Sequence, residues 1–124
     1  MTSSHGGWAG SGGFRLGNTE DPDDFVSTQA QARRFGEIIK GALCDDSFVA
    51  VEACSSSGDD NQFIKELHKA TGVVTIGSDG TANVGGSYWF GGWWTADDGR
   101  SQINADGSVT TDDSDEGTGI WRPF

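Results

Sequence analysis

Basic residues are scarce in this chain: eight Lys and Arg stand against nineteen Asp and Glu, for a formal net charge of −11. A surface this acidic repels nucleic acid and anionic bilayers, so neither is expected as a partner. No apolar run approaches the ~18–20 residues a membrane-spanning helix needs. The opening Met1-Thr2-Ser3-Ser4-His5-Gly6 carries neither the basic nor the apolar region of a secretory leader. The expectation is a soluble chain, either cytoplasmic or a piece of a larger secreted protein. Only two cysteines are present, Cys44 and Cys54, which excludes a multi-bridge scaffold. Zinc-ligand spacing and a phosphate-binding Gly-x-x-x-x-Gly-Lys are lacking, and the Gly-Gly pairs do not stand between a strand and a helix. No metal and no cofactor are expected.

What the chain does have is glycine and large rings. Twenty glycines accompany two prolines, and 34% hydrophobic residues include seven Phe, five Trp and one Tyr. Rings fill a small core efficiently, so 124 residues of this composition suit one folded domain.

The periodicities place the elements. Residues 5–17 form a glycine-dense loop ending in a short strand at 13–16. Acidic residues at 19–24 precede a helical pattern over 25–43, with Thr28, Ala32, Phe35, Ile39 and Ala42 on one stripe and Ile38 beside it. Residues 47–54 read as a buried strand that stops at Ser55-Ser56-Ser57-Gly58. Asp59 or Asp60 is positioned to cap a second helix through Ala70, carrying Phe63, Leu67 and Ala70 at helical spacing. A strand follows at 73–77. Strand, helix, strand predicts a βαβ unit with parallel strands. Beyond residue 80, an aromatic strand or strand pair at 87–94 and turn signals at 97–99 and 105–107 predict antiparallel hairpins over 84–111, then a polar acidic loop at 112–119. The fold class is α/β: a small, mostly parallel sheet flanked by two helices, with an antiparallel aromatic-rich addition.

One pair of residues carries chemistry. Cys54 ends the strand at 47–54, and catalytic groups of open α/β sheets gather at that strand end. His5 precedes it by 49 residues and is followed by Gly6-Gly7. A cysteine thiolate is a nucleophile that an imidazole can serve, and the amides of Gly6 and Cys54 would suit an oxyanion. At this point the sequence resembles the caspase-like (clan CD) cysteine peptidases, in which about 50 residues separate the His and the Cys. The matching pieces are Ser4-His5-Gly6 and Glu52-Ala53-Cys54-Ser55. It is still more similar to uncharacterised bacterial caspase-like domains of surface and toxin-like proteins. The shared features run in order through 13–17, the helix at 25–43, Cys54, Ala70-Thr71-Gly72 and 73–77, covering residues 3 to 80. The resemblance implies a Cys54/His5 dyad, an oxyanion site at Gly6 and Cys54, and a peptide or protein substrate.

Two departures limit what is carried over. The family builds apolar strands ahead of its His, whereas only Met1-Thr2-Ser3-Ser4 precedes His5 here. The expectation is a fragment, or a reduced sheet completed by a partner or by the chain's own hairpins. Glu52 and Ser55-Ser56 stand where caspases have Gln and Arg-Gly, so their preference for Asp is not implied.

Blander readings stand beside these. A cysteine ending a core strand is often inert packing. A Cys44–Cys54 disulfide needs Cα atoms within about 7 Å; an extended 47–54 strand would hold them roughly 20 Å apart or more, so strand and bridge exclude each other. His68 reads as a helix-boundary residue. Trp8, Trp89, Trp93, Trp94 and Trp121 are either core or a sugar-stacking face, and Trp93 and Trp94, adjacent in a strand, point oppositely. Gln102, Asn104, Asp106, Gly107 and Asp113 fall at calcium-loop offsets but lack its strongest ligands, which favours a plain turn. The reading from a different class is a non-catalytic binding or self-assembling module, joined through exposed sheet edges and aromatics.

Overall fold

A computed structural model describes residues 12–15, 25–26, 28–51, 53–58, 60–87, 91–96, 98–113 and 122–124. In chain order the elements are β1 (Phe14–Arg15), β2 (Phe25–Val26), α1 (Gln29–Lys40), β3 (Phe48–Val51), α2 (Gln62–Thr71), β4 (Val74–Ser78), β5 (Ala82–Ser87), β6 (Gly91–Ala96), β7 (Arg100–Ile103) and β8 (Val109–Asp112). The predicted α/β character holds. The expectation of a mostly parallel sheet does not. The main sheet is four-stranded and mixed, in the order β3-β4-β7-β8, and two further antiparallel pairs, β1-β2 and β5-β6, stand beside it.

The parallel part is the βαβ unit: β3 and β4 run parallel, with Phe48 opposite Val74 and Val51 opposite Gly77. After β4 the chain returns through the antiparallel β5-β6 pair and a tight turn at Asp98-Gly99, with no crossover helix among the described residues. A strand arriving that way runs back against its neighbour, and β7 pairs antiparallel with β4. β8 follows antiparallel through a turn in which Gly107 takes φ 87° and its amide donates to Asn104. The calcium-loop offsets at 102–113 therefore fall on this hairpin. Its Asp106 carboxylate accepts from the Ser108 hydroxyl and amide, which hold it below the usual carboxylate range. Among the described residues, no group of three metal-ligating side chains gathers.

Alternation along the strands separates two buried faces. Val49, Val51 and Ile103 turn toward α2 and join Phe14, Val26, Ala32, Phe63, Ile64 and Leu67 in the larger cluster. Phe48, Ala50, Val74 and Ile76 turn the other way and meet Ala82 and Ala96 of the β5-β6 pair. The ring of Phe14 lies edge-on to Phe35 and Phe63, at centroid distances of 5.1 and 5.9 Å. The side chains of Trp93 and Trp94, and the whole of Trp8, Trp89 and Trp121, lie outside the described residues.

The helices are shorter than the periodicity predicts. Phe25 and Val26 belong to β2, paired with β1, not to α1. The helix starts after Thr28, whose hydroxyl accepts from the Gln31 amide while the Gln31 side chain accepts from Thr28 N–H. This reciprocal capping box fixes the start. Helix α1 packs on α2 instead of directly on the sheet, so only its Ala32–Gly36 face turns inward. Ile38 is 67% exposed and Ala42 is exposed, against the expected stripe. Glu66, buried on α2, pairs with Arg33 across the helices and with Lys69, each at 3.4 Å. The α2 cap also differs from expectation: Asn61, in the left-handed region, occupies it without a side-chain cap bond. His68 is half-buried and its Nδ1 donates to the Val73 carbonyl at 2.9 Å, the boundary position its spacing suggests. No helix among the described residues is long and apolar enough to cross a membrane.

Helix crossing depends on Gly36. A Cβ there would stand 2.6 Å from the Ala70 Cβ. Glycine-to-larger changes in exposed helices usually gain stability from propensity, but two Cβ atoms cannot be separated by changing a rotamer. Gly36→Val is therefore expected to cost about 2 kcal/mol through overpacking, read as a lower urea midpoint at unchanged slope.

Candidate active site around Cys54

Strand β3 ends at Val51, and the Ala53 amide turns back to the Val51 carbonyl at 2.9 Å. Cys54 stands immediately beyond, at the carboxyl end of the parallel pair, and the observed strand is shorter than the predicted 47–54 because of this turn. Both cysteines are free thiols; Cys44 is exposed and Cys54 half-buried. The Cys54 sulfur accepts from the Ala82 amide at 3.4 Å and lies 3.5 Å from the Ala82 carbonyl. The first residue of β5 thus covers one side of the thiol.

The residues that follow Cys54 are strained and held. Among the described residues, the non-glycine positions with positive φ are Ser55 (52°), Asp60 (56°) and Asn61 (64°), all between β3 and α2. Asp and Asn tolerate that region through their short polar side chains, whereas serine there is uncommon. Such backbone persists only where its surroundings impose it. The surroundings are a net of short bonds. Ser55 N donates to the Gly80 carbonyl at 2.6 Å and Ser57 N to the Ser78 carbonyl at 3.0 Å. Ser56 Oγ, fully buried, donates to the Val51 carbonyl and accepts from Ser78 N, both at 2.7 Å.

Asp79 closes this net. Its carboxylate accepts from Ser57 Oγ and, at 2.6 Å, from Ser101 Oγ of β7, while its amide donates to the Gly99 carbonyl at 3.0 Å. Ser57 also reaches the Ser78 carbonyl at 2.8 Å. One carboxylate therefore ties the loop after β3 to the ends of β4 and β7. Sequence reading places Ser55-Ser56-Ser57 as a small-residue loop and misses Asp79 and Ser101 altogether. The only signal was three hydroxyls in a row directly after the cysteine.

The amino-terminal segment docks on the same loop. Gly13 N donates to the Ser56 carbonyl at 3.2 Å. A Cβ on Gly12 would stand 2.8 Å from the Phe63 Cβ and 2.9 Å from the Ser56 carbonyl oxygen, so glycine is what lets the backbone approach. His5 and Gly6 lie outside the described residues. His5 is seven residues before Gly12, and at about 3.3–3.6 Å per residue that segment spans at most roughly 25 Å. Matched against protein-family models, curated proteins and solved structures, the chain has no match.

Proposed function

We propose that this chain is a caspase-like cysteine peptidase domain, or a reduced relative, acting on a peptide or protein substrate through Cys54 and His5. The observation that carries the reading is the position of Cys54: a half-buried thiol just past the carboxyl end of a parallel strand, followed at once by the positive-φ Ser55. Docking of Gly12-Gly13, which follow His5 in the sequence, on the Cys54 loop supports it further.

In the proposed reaction His5 takes the Cys54 thiol proton, the thiolate sulfur attacks the peptide carbonyl carbon, and the amides of Gly6 and Cys54 hold the oxyanion. His5 passes a proton to the departing amine nitrogen as the C–N bond breaks. Water then attacks the thioester carbon, His5 takes the water's proton, and the carboxylic acid leaves as the thiol is restored. A fluorogenic peptide mixture tests the reading. The wild type is expected to release fluorophore, and Cys54→Ala and His5→Ala to release none while keeping the wild-type melting curve. Hydrolysis undiminished in Cys54→Ala would defeat it.

A second reading, a non-catalytic self-assembling module, is favoured by the sulfur's own contacts. With the Ala82 amide and carbonyl both within reach, Cys54 serves as a structural clasp between β3 and β5. Complete protection of Cys54 from a small alkylating reagent in the folded protein would select this reading.

A further inference from the structure

We propose that Arg100 and Gln102 of β7 form a receptor for an aromatic residue presented in an extended peptide, and that the chain's own Phe124 occupies it. The proposal does not depend on Cys54 or on peptidase chemistry.

Gln102 is 3% exposed, yet its side chain reads main chain as a sheet edge would. Its Oε1 accepts from Phe124 N at 2.9 Å, and its Nε2 donates to the Phe124 carbonyl oxygen at 3.1 Å. Any residue with an N–H and a C=O satisfies that pair; proline does not. Selection for a ring comes from Arg100, whose guanidinium carbon lies 5.1 Å from the Phe124 ring centroid. A cation over an aromatic face is attracted by the ring quadrupole.

Both receptor side chains are held by partners within the β7-β8 hairpin. Gln102 Nε2 also donates to Asn104 Oδ1 at 2.7 Å, and Asn104 in turn donates to Ser108 Oγ and Thr110 Oγ1. Arg100 Nη2 pairs with Asp112 Oδ2 at 2.7 Å. The receptor is thus organised before its occupant arrives, which lowers the entropic cost of filling it. Emptying it would leave the buried Gln102 acceptor and one of its N–H donors without protein partners, a cost that favours occupancy. The occupant is loosely enclosed by comparison: Phe124 is 40% exposed, so a competing ring has access.

The test uses the full chain carrying Phe124→Pro, which removes both the ring and the N–H that Gln102 accepts from, and the probe N-acetyl-L-phenylalanine amide, which has the ring, the N–H and the C=O. Titration is followed by the Gln102 side-chain amide and Arg100 Nε signals in a nitrogen-15 correlation spectrum. Saturable shifts at millimolar probe are expected in Phe124→Pro. In the wild type they should be at least about twofold weaker, because a tethered occupant at millimolar effective concentration competes with a probe of millimolar affinity. The Arg100 Nε shift should vanish in Phe124→Pro/Gln102→Ala, and both shifts with the N-methylated probe. Shifts of equal strength with N-acetyl-alanine amide, or survival of the Arg100 Nε shift without Gln102, would overturn the proposal. So would absence of shifts in a variant whose spectrum stays dispersed. Should Phe124→Pro lose its fold, Phe124→Gly repeats the titration with the ring alone removed, and the same outcomes decide.

Discussion

Phe63→Ala is expected to remove about 4 kcal/mol of stability, the upper range for truncating a buried ring. Phe63 is 1% exposed, meets Phe14 edge-on, and presses its Cβ toward Gly12. Ile64 and Leu67, described members of the same cluster, are already fully buried and have little freedom to collapse into the space. Domains of this size hold about 5–15 kcal/mol in total, so the variant should sit near its unfolding threshold at room temperature. The loss should also reach the site. Gly12 and Gly13 rest on Phe63 and the Ser56 carbonyl, so loosening the ring releases Gly12 and Gly13 from the loop after Cys54. Chemical denaturation measures the first effect and amide exchange at Gly13 the second. A cost below about 1 kcal/mol would mean that the Phe14–Phe63 contact is not a core contact.

Ser56→Val is expected to cost about 2–3 kcal/mol although the shape is nearly conserved. Volume alone would make this a mild change in an apolar core. Here the hydroxyl bridges Val51 and Ser78 across the parallel pair, and the residue is 0% exposed. Replacing it leaves the Ser78 N–H buried without its acceptor, and unsatisfied buried donors cost more than the bond itself contributes. Ser108→Ala, in the exposed β7-β8 turn, is the control and should cost under about 1 kcal/mol. Equal effects at the two serines would show that the bonds under Cys54 hold no more than those of a solvent-exposed turn.

The parts of this molecule legible in its sequence are those with local causes. Thr28 and Gln31, three residues apart, form the capping box, and the apolar run at 48–51 pairs parallel with 74–77 across the helix between them. The missed parts depend on partners far along the chain. Phe25 has helical spacing to later apolar residues, yet it pairs with Arg15, ten residues earlier. Ile38 is apolar but exposed because α1 covers α2 and not the sheet, a layering that periodicity does not encode. The mixed sheet follows from a hairpin return after β4, and turn signals at 97–99 do not say which strand β7 will join.

The candidate site divides in the same way. Cys54 was legible because a strand end, a small-residue loop and a family resemblance all pointed to it. The Ser57–Asp79–Ser101 net was not, because two hydroxyls and one carboxylate separated by 22 residues on each side of Asp79 read singly as turn residues. Polar residues in glycine-rich surroundings resemble solvent-exposed loops until tertiary packing buries them.

The most direct test of the central claim is iodoacetamide labelling of the native protein across pH, with the two cysteines quantified separately by peptide mass spectrometry. Cys44, exposed in the connection between α1 and β3, serves as the ordinary thiol in the same tube. An activated nucleophile reacts well below the pH near 8.5 at which ordinary thiols become reactive. The peptidase account predicts that Cys54 is alkylated faster than Cys44 at pH 6.5 and that His5→Ala slows Cys54 alone. Labelling of Cys54 only on unfolding, or at a rate indifferent to His5, would contradict it.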